Sequence, residues 1–478
     1  MKFTKKQHHI LITIWIILAV LLPGNSFGIT PLEEKKMSEK FLKEVSQHFK
    51  FIDDQMIIKY VNKVGQRILK TLPAQPYKFR FYVIKEGSYN AFAGPGGVIF
   101  INSGLIEAMD TENELAGILA HEILHVACRH LSDRIEKSKK IGIASLAGLV
   151  GAIALGAAGA GAAANAAIVG SIAAGQSMML AYSRQDEIQA DQSSLEYLAK
   201  AGYNAKGLLI ILEKIRNKQW FGSDQIPTYL MTHPAVEDRI SYISNWIESN
   251  SEMRKNKSKG DNPYFSHVKT RLMALYGDVN TLFPRFQVRV NENADDSIAS
   301  YGYGLLLERR GNYKKAAIYL KKSLEKNAFD PDLLVDLGRV LFLNNNYSQA
   351  LTTLEGALSI SPFHQGALFF LGRSHMNSGN FHEAATVFES LINKHKGHKN
   401  VDYFIGNVYS RLGKPSKAYH HLGIHYAKKG AFEKAILQLK KALKLSKDAD
   451  QKSKIEKDLK KVKGKLVKRR VKKKDKGS

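Results

Sequence analysis

Residues 121 to 125 read His-Glu-Ile-Leu-His, and Glu187 and Asp191 follow in the run from Ser183 to Asp191. On a helix, positions i and i+4 share a face, so His121 and His125 can present both imidazoles to one metal ion. Glu122 projects beside them, placed to hold a water and take its proton, which is the zinc-peptidase use of this spacing. Catalytic zinc sites use three protein ligands and leave a fourth position for water. Glu187 is the candidate third ligand, and Asp191, one turn further on, can orient a ligand histidine from behind. The two-histidine, one-carboxylate set predicts zinc, one per chain, over manganese or cobalt.

That chemistry needs a helix, and the sequence supplies one. Thr111-Glu112-Asn113-Glu114 reads as a capping box, followed by Leu115, Ile118, Leu119, Ile123, Leu124 and Val126 at helical spacing, so a helix is expected over residues 112–131. Residues 33–72 also show helical periodicity, ended by Pro73 and Pro76, and Lys78–Val83 alternates as a strand. Asn90–Ala93 and Val98–Ile101 read as short strands around the turn Gly94-Pro95-Gly96-Gly97. An edge strand beside the metal helix could bind an extended peptide as a further strand.

Residues 205–250 look helical, broken by Pro227 and Pro234. His233, in Thr232-His233-Pro234, has three readings: a fourth metal ligand that closes the open position, a polariser of the substrate carbonyl, or a histidine held by the turn at Pro234. Arg239 either stabilises an oxyanion or pairs with an acid of the same domain. Cys128 is the single cysteine, so no intramolecular disulfide forms. It lies three residues after His125, as a thiolate ligand or as a small packed residue.

Beyond Pro284 a repeat takes over. Gly304, Gly338, Gly372 and Gly406 are 34 residues apart; Gly311, Asn345, Gly379 and Gly413 keep the step, as do Ala316, Ala350, Ala384 and Ala418. A 34-residue period with small residues at these offsets is the tetratricopeptide signature, a stack of helix pairs whose groove takes peptides or partner loops. Gly423, Gly430, Ala435 and Ala442 repeat the pattern after a half step of 17, so that one helix serves two repeats.

The composition, 44% hydrophobic, is that of a globular chain. Lys2, Lys5 and Lys6 precede an apolar run from Ile10 to Leu22 and a small-residue site ending at Gly28. This predicts a signal peptide cleaved near Gly28, with an uncleaved anchor as the alternative, and a periplasmic mature chain carrying +24 of the full +27 charge. Residues 452–478 hold fourteen Lys or Arg against three acids. Such a block is expected to be a solvated, disordered tail, with attraction to an anionic membrane surface as its second reading. Nucleic acid is a poor partner for an exported protein. Residues 141–183 carry no charged side chain and are rich in Gly and Ala. They read as a flap over the site that touches the membrane, or as a hairpin within it.

The run from Asn90 to Leu105, the helix with His121 and His125, the segment Glu187 to Asp191, and Thr232-His233-Pro234 with Arg239-Ile240 occur in order. Together they resemble the periplasmic zinc metallopeptidases with C-terminal tetratricopeptide repeats, over residues 35–445. The resemblance implies an α+β peptidase domain, mostly helical with a small sheet beside the metal helix, then an all-α repeat superhelix. With the N-terminal pattern, the repeat period and the tail charge, the expected boundaries are 1–28 for the signal, 29–285 for the peptidase, 295–445 for the repeats and 446–478 for the tail. The resemblance implies that Val98, Ile99, Phe100, Ile101 and Asn102 form the substrate edge strand, and that His233 is regulatory. The substrates it implies are unfolded or misassembled envelope proteins, with the outer-membrane barrel assembly machinery docked on the repeats.

Overall fold

The computed structural model describes residues 29–137, 182–221, 228–250, 262–395, 398 and 400–474. The expected signal peptide, the Gly/Ala-rich stretch up to residue 181, Pro227 and the last four residues lie outside them. Among the described residues no helix is long and apolar enough to cross a membrane. The chain divides into two compact units, the first ending at Leu272 and the second starting at Met273. Residues 273–285, assigned to the peptidase domain by sequence, therefore group with the repeats.

The first unit opens with α1 (Pro31–His48) and α2 (Gln55–Leu69). The helical stretch expected over 33–72 is thus interrupted. Phe51 bridges to Ile84 instead, and Asp54 caps α2 by accepting from the N–H groups of Met56 and Ile57. Three strands follow: β1 (Arg80–Ile84), β2 (Ala91–Gly94) and β3 (Val98–Asn102). Their order is β1-β3-β2. β1 runs parallel to β3 with Arg80 opposite Val98, and β2 runs antiparallel with Phe92 opposite Phe100.

This order corrects the expected substrate strand. Val98, Ile99, Phe100, Ile101 and Asn102 form the central strand, buried at every residue, with neighbours on both sides. No peptide can add to it. An unbroken apolar run is the pattern of a strand covered on both faces, and the edge beside it is β2.

The short helix α3 (Ser103–Ala108) leads into α4 (Glu112–Ala127), which carries the metal motif. Thr111 caps α4 by accepting from the Glu114 N–H. The Glu114 carboxylate takes the N–H of Asp110 and the ammonium of Lys214 (Nζ–Oε2 2.7 Å). Apolar residues surround α4, and it is buried along nearly its whole length. Helix α7 (Lys206–Phe221) crosses it closely because Gly117 and Gly207 have no side chain: a Cβ on Gly117 would sit 2.7 Å from the Leu208 backbone.

α4 stops four residues short of its expected end. Arg129 adopts φ 59°, and the chain restarts as α5 (His130–Lys137). The left-handed residue is held by its own guanidinium, which reaches Glu34 Oε1 at 2.9 Å and the Ile29 carbonyl at 2.6 Å. The unit is completed by α6 (Arg184–Lys200), α8 (Thr228–Thr232), α9 (Val236–Ser249) and α10 (Tyr264–Tyr276), the last running into the second unit.

The second unit begins with α11 (Val279–Glu292). Helix pairs follow at the repeat spacing: α12 (Ser297–Arg309) with α13 (Tyr313–Lys326), α14 (Pro331–Leu343) with α15 (Tyr347–Ile360), α16 (Gln365–Asn377) with α17 (Phe381–Lys394), and α18 (Val401–Arg411) with α19 (Pro415–Lys428). The periodic glycines sit where paired helices touch; a Cβ on Gly338 would come within 2.5 Å of Leu354 Cγ. The second small position turns the chain, with φ 76° at Gly311 and 61° at Asn345. α19 serves twice. Its Leu422 packs under Gly406, while its own Gly423 receives Leu439 of α20 (Phe432–Leu445).

The disordered tail is corrected for residues 449–474, which form α21 (Ala449–Lys474). Within the basic run, Ile455, Leu459 and Val462 recur at i, i+4 and i+7 and are buried with Ala435, Leu439 and Ala442 of α20. The charged side chains occupy the other faces, so a charge count alone hides the helix.

Candidate metal centre

The motif helix α4 brings His121 and His125 side by side, with Nε2 atoms 2.9 Å apart. α6 begins with a capping box in which Ser183 accepts from the Asp186 N–H. That start fixes Glu187 in the first turn, facing both histidines: Oε2 is 3.4 Å from His121 Nε2, and Oε1 is 3.3 Å from His125 Nε2. His233 follows α8, where its N–H bonds to the Tyr229 carbonyl. Its Nδ1 lies 3.2 Å from His121 Nε2 and 3.1 Å from Glu187 Oε1. One ligand atom each from His121, His125, Glu187 and His233 thus fall within 4.8 Å of one another, all buried. A tetrahedral zinc with bonds near 2.0–2.1 Å would space its ligand atoms by about 3.3 Å, close to these separations.

The charges fit a cation as well. Glu122, Glu187 and Asp191 are buried with one guanidinium, that of Arg239, so two negative charges stand in excess when the imidazoles are neutral. Uncompensated buried charge is costly, and a divalent cation cancels it. Both Glu122 oxygens lack a hydrogen-bond partner among the described residues. Glu122 Oε1 is 3.4 Å from His233 Nε2, without hydrogen-bond alignment.

Behind the ligand atoms, His121 Nδ1 lies 2.7 Å from Asp191 Oδ1, which leaves Nε2 free to face a metal. Arg239 clamps the same carboxylate, Nε to Oδ2 at 2.7 Å and Nη2 to Oδ1 at 2.9 Å, and Tyr242 donates its hydroxyl to it. Arg239 Nη1 also sits 2.7 Å from Glu187 Oε2, close enough for ion pairing though not aligned for a hydrogen bond. Of the two geometries open to Arg239, the structure has the pairing with acids. Burial alone would push the Glu187 carboxyl up, but Arg239 and His233 hold it well below the usual carboxylate range. Burial pushes the Glu122 carboxyl up. For His121, burial and Arg239 oppose protonation, yet Asp191 and Glu187 raise it to about 9 in the metal-free protein.

Several contributors were not foreseen. His130 places Nδ1 2.9 Å from His125 Nδ1, and its Nε2 meets Gln189 Oε1 at 3.0 Å, so His125 has its own orienting chain. The left-handed Arg129 alone turns His130 back, and helical spacing gives no sign of it. Tyr182 stacks on His125 with centroids 3.7 Å apart, and Tyr229 stacks on His233 at 4.3 Å. Cys128 is not among the clustered ligand atoms; burial raises its thiol.

Beside the centre, β2 has a free side. The Asn102 N–H bonds to the Asn90 carbonyl, so by alternation the backbone groups of Ala91 and Ala93 point away from β3. The Tyr89 carbonyl on that side takes the Tyr229 N–H at 3.2 Å, whereas Ala91 and Ala93 have no backbone partner there among the described residues. Ala93 and Gly94 line a small pocket that His125 and Tyr182 also line.

Residues 58–247 match the model of peptidase family M48. Residues 416–448 match the tetratricopeptide repeat model, and residues 309–391 match that of anaphase-promoting complex, cyclosome, subunit 3. The chain is 27% identical over 327 residues to the beta-barrel assembly-enhancing protease of Yersinia pestis, covering 66% of each protein. It is 26% identical over 309 residues to the protein of that name in Escherichia coli K12, covering 64% of this chain and 60% of that one. The chain thus spans under two thirds of the length of these curated relatives. A crystal structure of MamA aligns over 37% of this chain and 96% of its own, with 18% identity and a TM-score of 0.30.

Proposed function

We propose that this chain, a family M48 metallopeptidase domain followed by tetratricopeptide repeats, is a zinc-dependent endopeptidase of the bacterial cell envelope. Its substrates are unfolded or misassembled envelope proteins, and its repeats recruit them or the barrel assembly machinery. The observation that carries the reading is the buried cluster of His121, His125, Glu187 and His233 beside the Glu122 carboxylate, which has no hydrogen-bond partner among the described residues.

His121, His125 and Glu187 would hold the zinc. When bound, it supplies a Lewis acid for the scissile carbonyl and lowers the pKa of water to about 7. The remaining work falls to the chain. Asp191 and the His130–Gln189 pair hold the two imidazoles in their ligating tautomers. Glu122 takes the proton of the attacking water and returns it to the leaving nitrogen, and its burial raises its affinity for that proton. Arg239 keeps Asp191 and Glu187 ionised and in place. The substrate backbone adds to the free side of β2 at Ala91 and Ala93. His233 would be a fourth ligand that keeps the site closed until it moves aside for a peptide.

The closed geometry also favours a second reading, an assembly chaperone with its peptidase silenced. One paired experiment separates the two. Residues 29–478 and the Glu122→Gln variant are purified, their zinc is quantified, and both are incubated with unfolded casein with and without a chelator. About one zinc per chain is expected, with cleavage lost on chelation and reduced by about 10²–10⁴ in Glu122→Gln. Zinc binding without cleavage, in wild type and in His233→Ala alike, would sink the peptidase reading in favour of the chaperone.

A further inference from the structure

The repeat unit carries arginine at one position of two successive repeats and surrounds the two residues in opposite ways. Arg339 and Arg373 lie 34 residues apart, on α14 and α16. Arg339 is paired on every side: Nε and Nη2 reach the Glu308 carboxylate at 2.8 and 2.7 Å, and Nη1 reaches Asp336 Oδ1 at 2.9 Å. One repeat later, the positions equivalent to Glu308 and Asp336 are Phe342 and Phe370. Both acids have been exchanged for aromatic rings while the arginine remains.

Among the described residues Arg373 accordingly has no acid to pair with. Its Nε is buried without a hydrogen-bond partner, while the residue as a whole stays partly exposed. Its guanidinium carbon lies 4.4 Å from the ring centroid of Phe342, 4.8 Å from Phe404 and 5.9 Å from Phe369. Those rings come from α14, α18 and α16, the first helices of three successive pairs. Cation–π contact offsets part of the desolvation of a guanidinium but satisfies none of its N–H donors. The other polar groups nearby are engaged: the Tyr347 hydroxyl bonds Asn345 and Asn377, and the His398 ring lies against Phe369 at 4.6 Å.

We propose that Arg373, walled by Phe342, Phe369 and Phe404, is a binding site for a carboxylate of an extended peptide, carried next to an apolar side chain. A planar guanidinium matches a carboxylate through two parallel hydrogen bonds. The rings exclude water from that pair and seat the neighbouring side chain. The carboxylate comes from the end of a chain or from an Asp or Glu side chain. That the occupant is a peptide rests on the peptidase reading above; the unpaired cation does not depend on it.

The test uses the full chain with Glu122→Gln, so that nothing is cut, and three rhodamine-labelled Gly/Ser decapeptides ending in Phe. One has a free α-carboxylate, one a terminal amide, and one a terminal amide with Glu before the Phe. Fluorescence anisotropy should show a carboxylate peptide binding about ten- to hundredfold more tightly than the plain amide. Arg373→Gln should erase that difference, and Arg373→Lys should keep part of it. Phe370→Asp, which restores the acid that holds Arg339, should erase it with the guanidinium still present. Whichever carboxylate peptide binds identifies the source. Equal binding of all three peptides overturns the proposal, as does a difference that survives in a Arg373→Gln protein with an unchanged circular dichroism melt. Arg373-dependent binding to phosphatidylglycerol vesicles without peptide binding overturns it too, in favour of a lipid. Since binding is read without catalysis, a failed peptidase assay and a failed carboxylate site remain separate results.

Discussion

Replacing Arg239 with methionine tests how the metal centre is held together. The side chain is 1% exposed and makes three close contacts with acids: two to Asp191 at 2.7 and 2.9 Å and one to Glu187 at 2.7 Å. Methionine fills similar length without charge. Removing one partner of a buried ion pair costs about 3–5 kcal/mol, because the other charge is left stranded. Asp191 keeps His121 and Tyr242, and Glu187 keeps three imidazoles, so the lower end applies, about 3 kcal/mol. For a unit of this size, each kcal/mol moves the midpoint by about 2–4 °C, which gives a fall of about 6–12 °C. The assay is thermal unfolding of the metal-free full chain by circular dichroism, wild type against Arg239→Met. Zinc should then restore part of the loss, since the variant pocket holds three carboxylates and no guanidinium. A variant that melts with wild type yet fails to cleave casein would refute the argument. Arg239 would then act on the substrate oxyanion and not on the acids around it.

Three further outcomes are expected. His233→Ala should retain zinc and cleave casein faster, about tenfold for each 1.4 kcal/mol that displacing the imidazole costs; an unchanged or lower rate would remove the plug reading of His233. In the metal-free protein His121 has its pKa raised from 6.5 to about 9, so its contribution to stability is complete below pH 6.5 and is lost as pH rises through about 9. Zinc must displace that proton, so titration calorimetry at pH 7.5 in buffers of different ionisation enthalpy should show proton release that vanishes above pH 9; the same release at pH 10 would argue against His121 as its source. Gly338→Val places a Cβ within 2.5 Å of Leu354 and should cost the repeat unit about 1–3 kcal/mol, seen as a lowered unfolding transition at unchanged zinc content; a neutral result would mean that α14 and α15 separate easily.

The local parts of the centre were legible because helix geometry is local. His121, Glu122 and His125 need only one turn of α4, and Glu187 with Asp191 needs only one turn of α6. The contacts that orient them were not. His130 follows His125 by five residues, off the face of any continuous helix, and only the turn at Arg129 brings it back. Tyr182 stacks on His125 and Tyr229 on His233, and no periodicity marks either tyrosine. The second role of α19 could be read from the half step in the glycine spacing.

The sequence by itself determined whatever depends on spacing along one chain: the ligand-bearing helix, the 34-residue repeat, and the small residues at which paired helices touch. Tertiary structure alone decided which strand is an edge, because strand order follows from a crossover that places β3 between β1 and β2. It decided that Arg239 faces Asp191 and Glu187, since pairing in a buried site is set by what desolvated charges find nearby. It also decided that a basic tail becomes a helix, because three apolar residues found a surface on α20 against which burial outweighs the repulsion among the lysines.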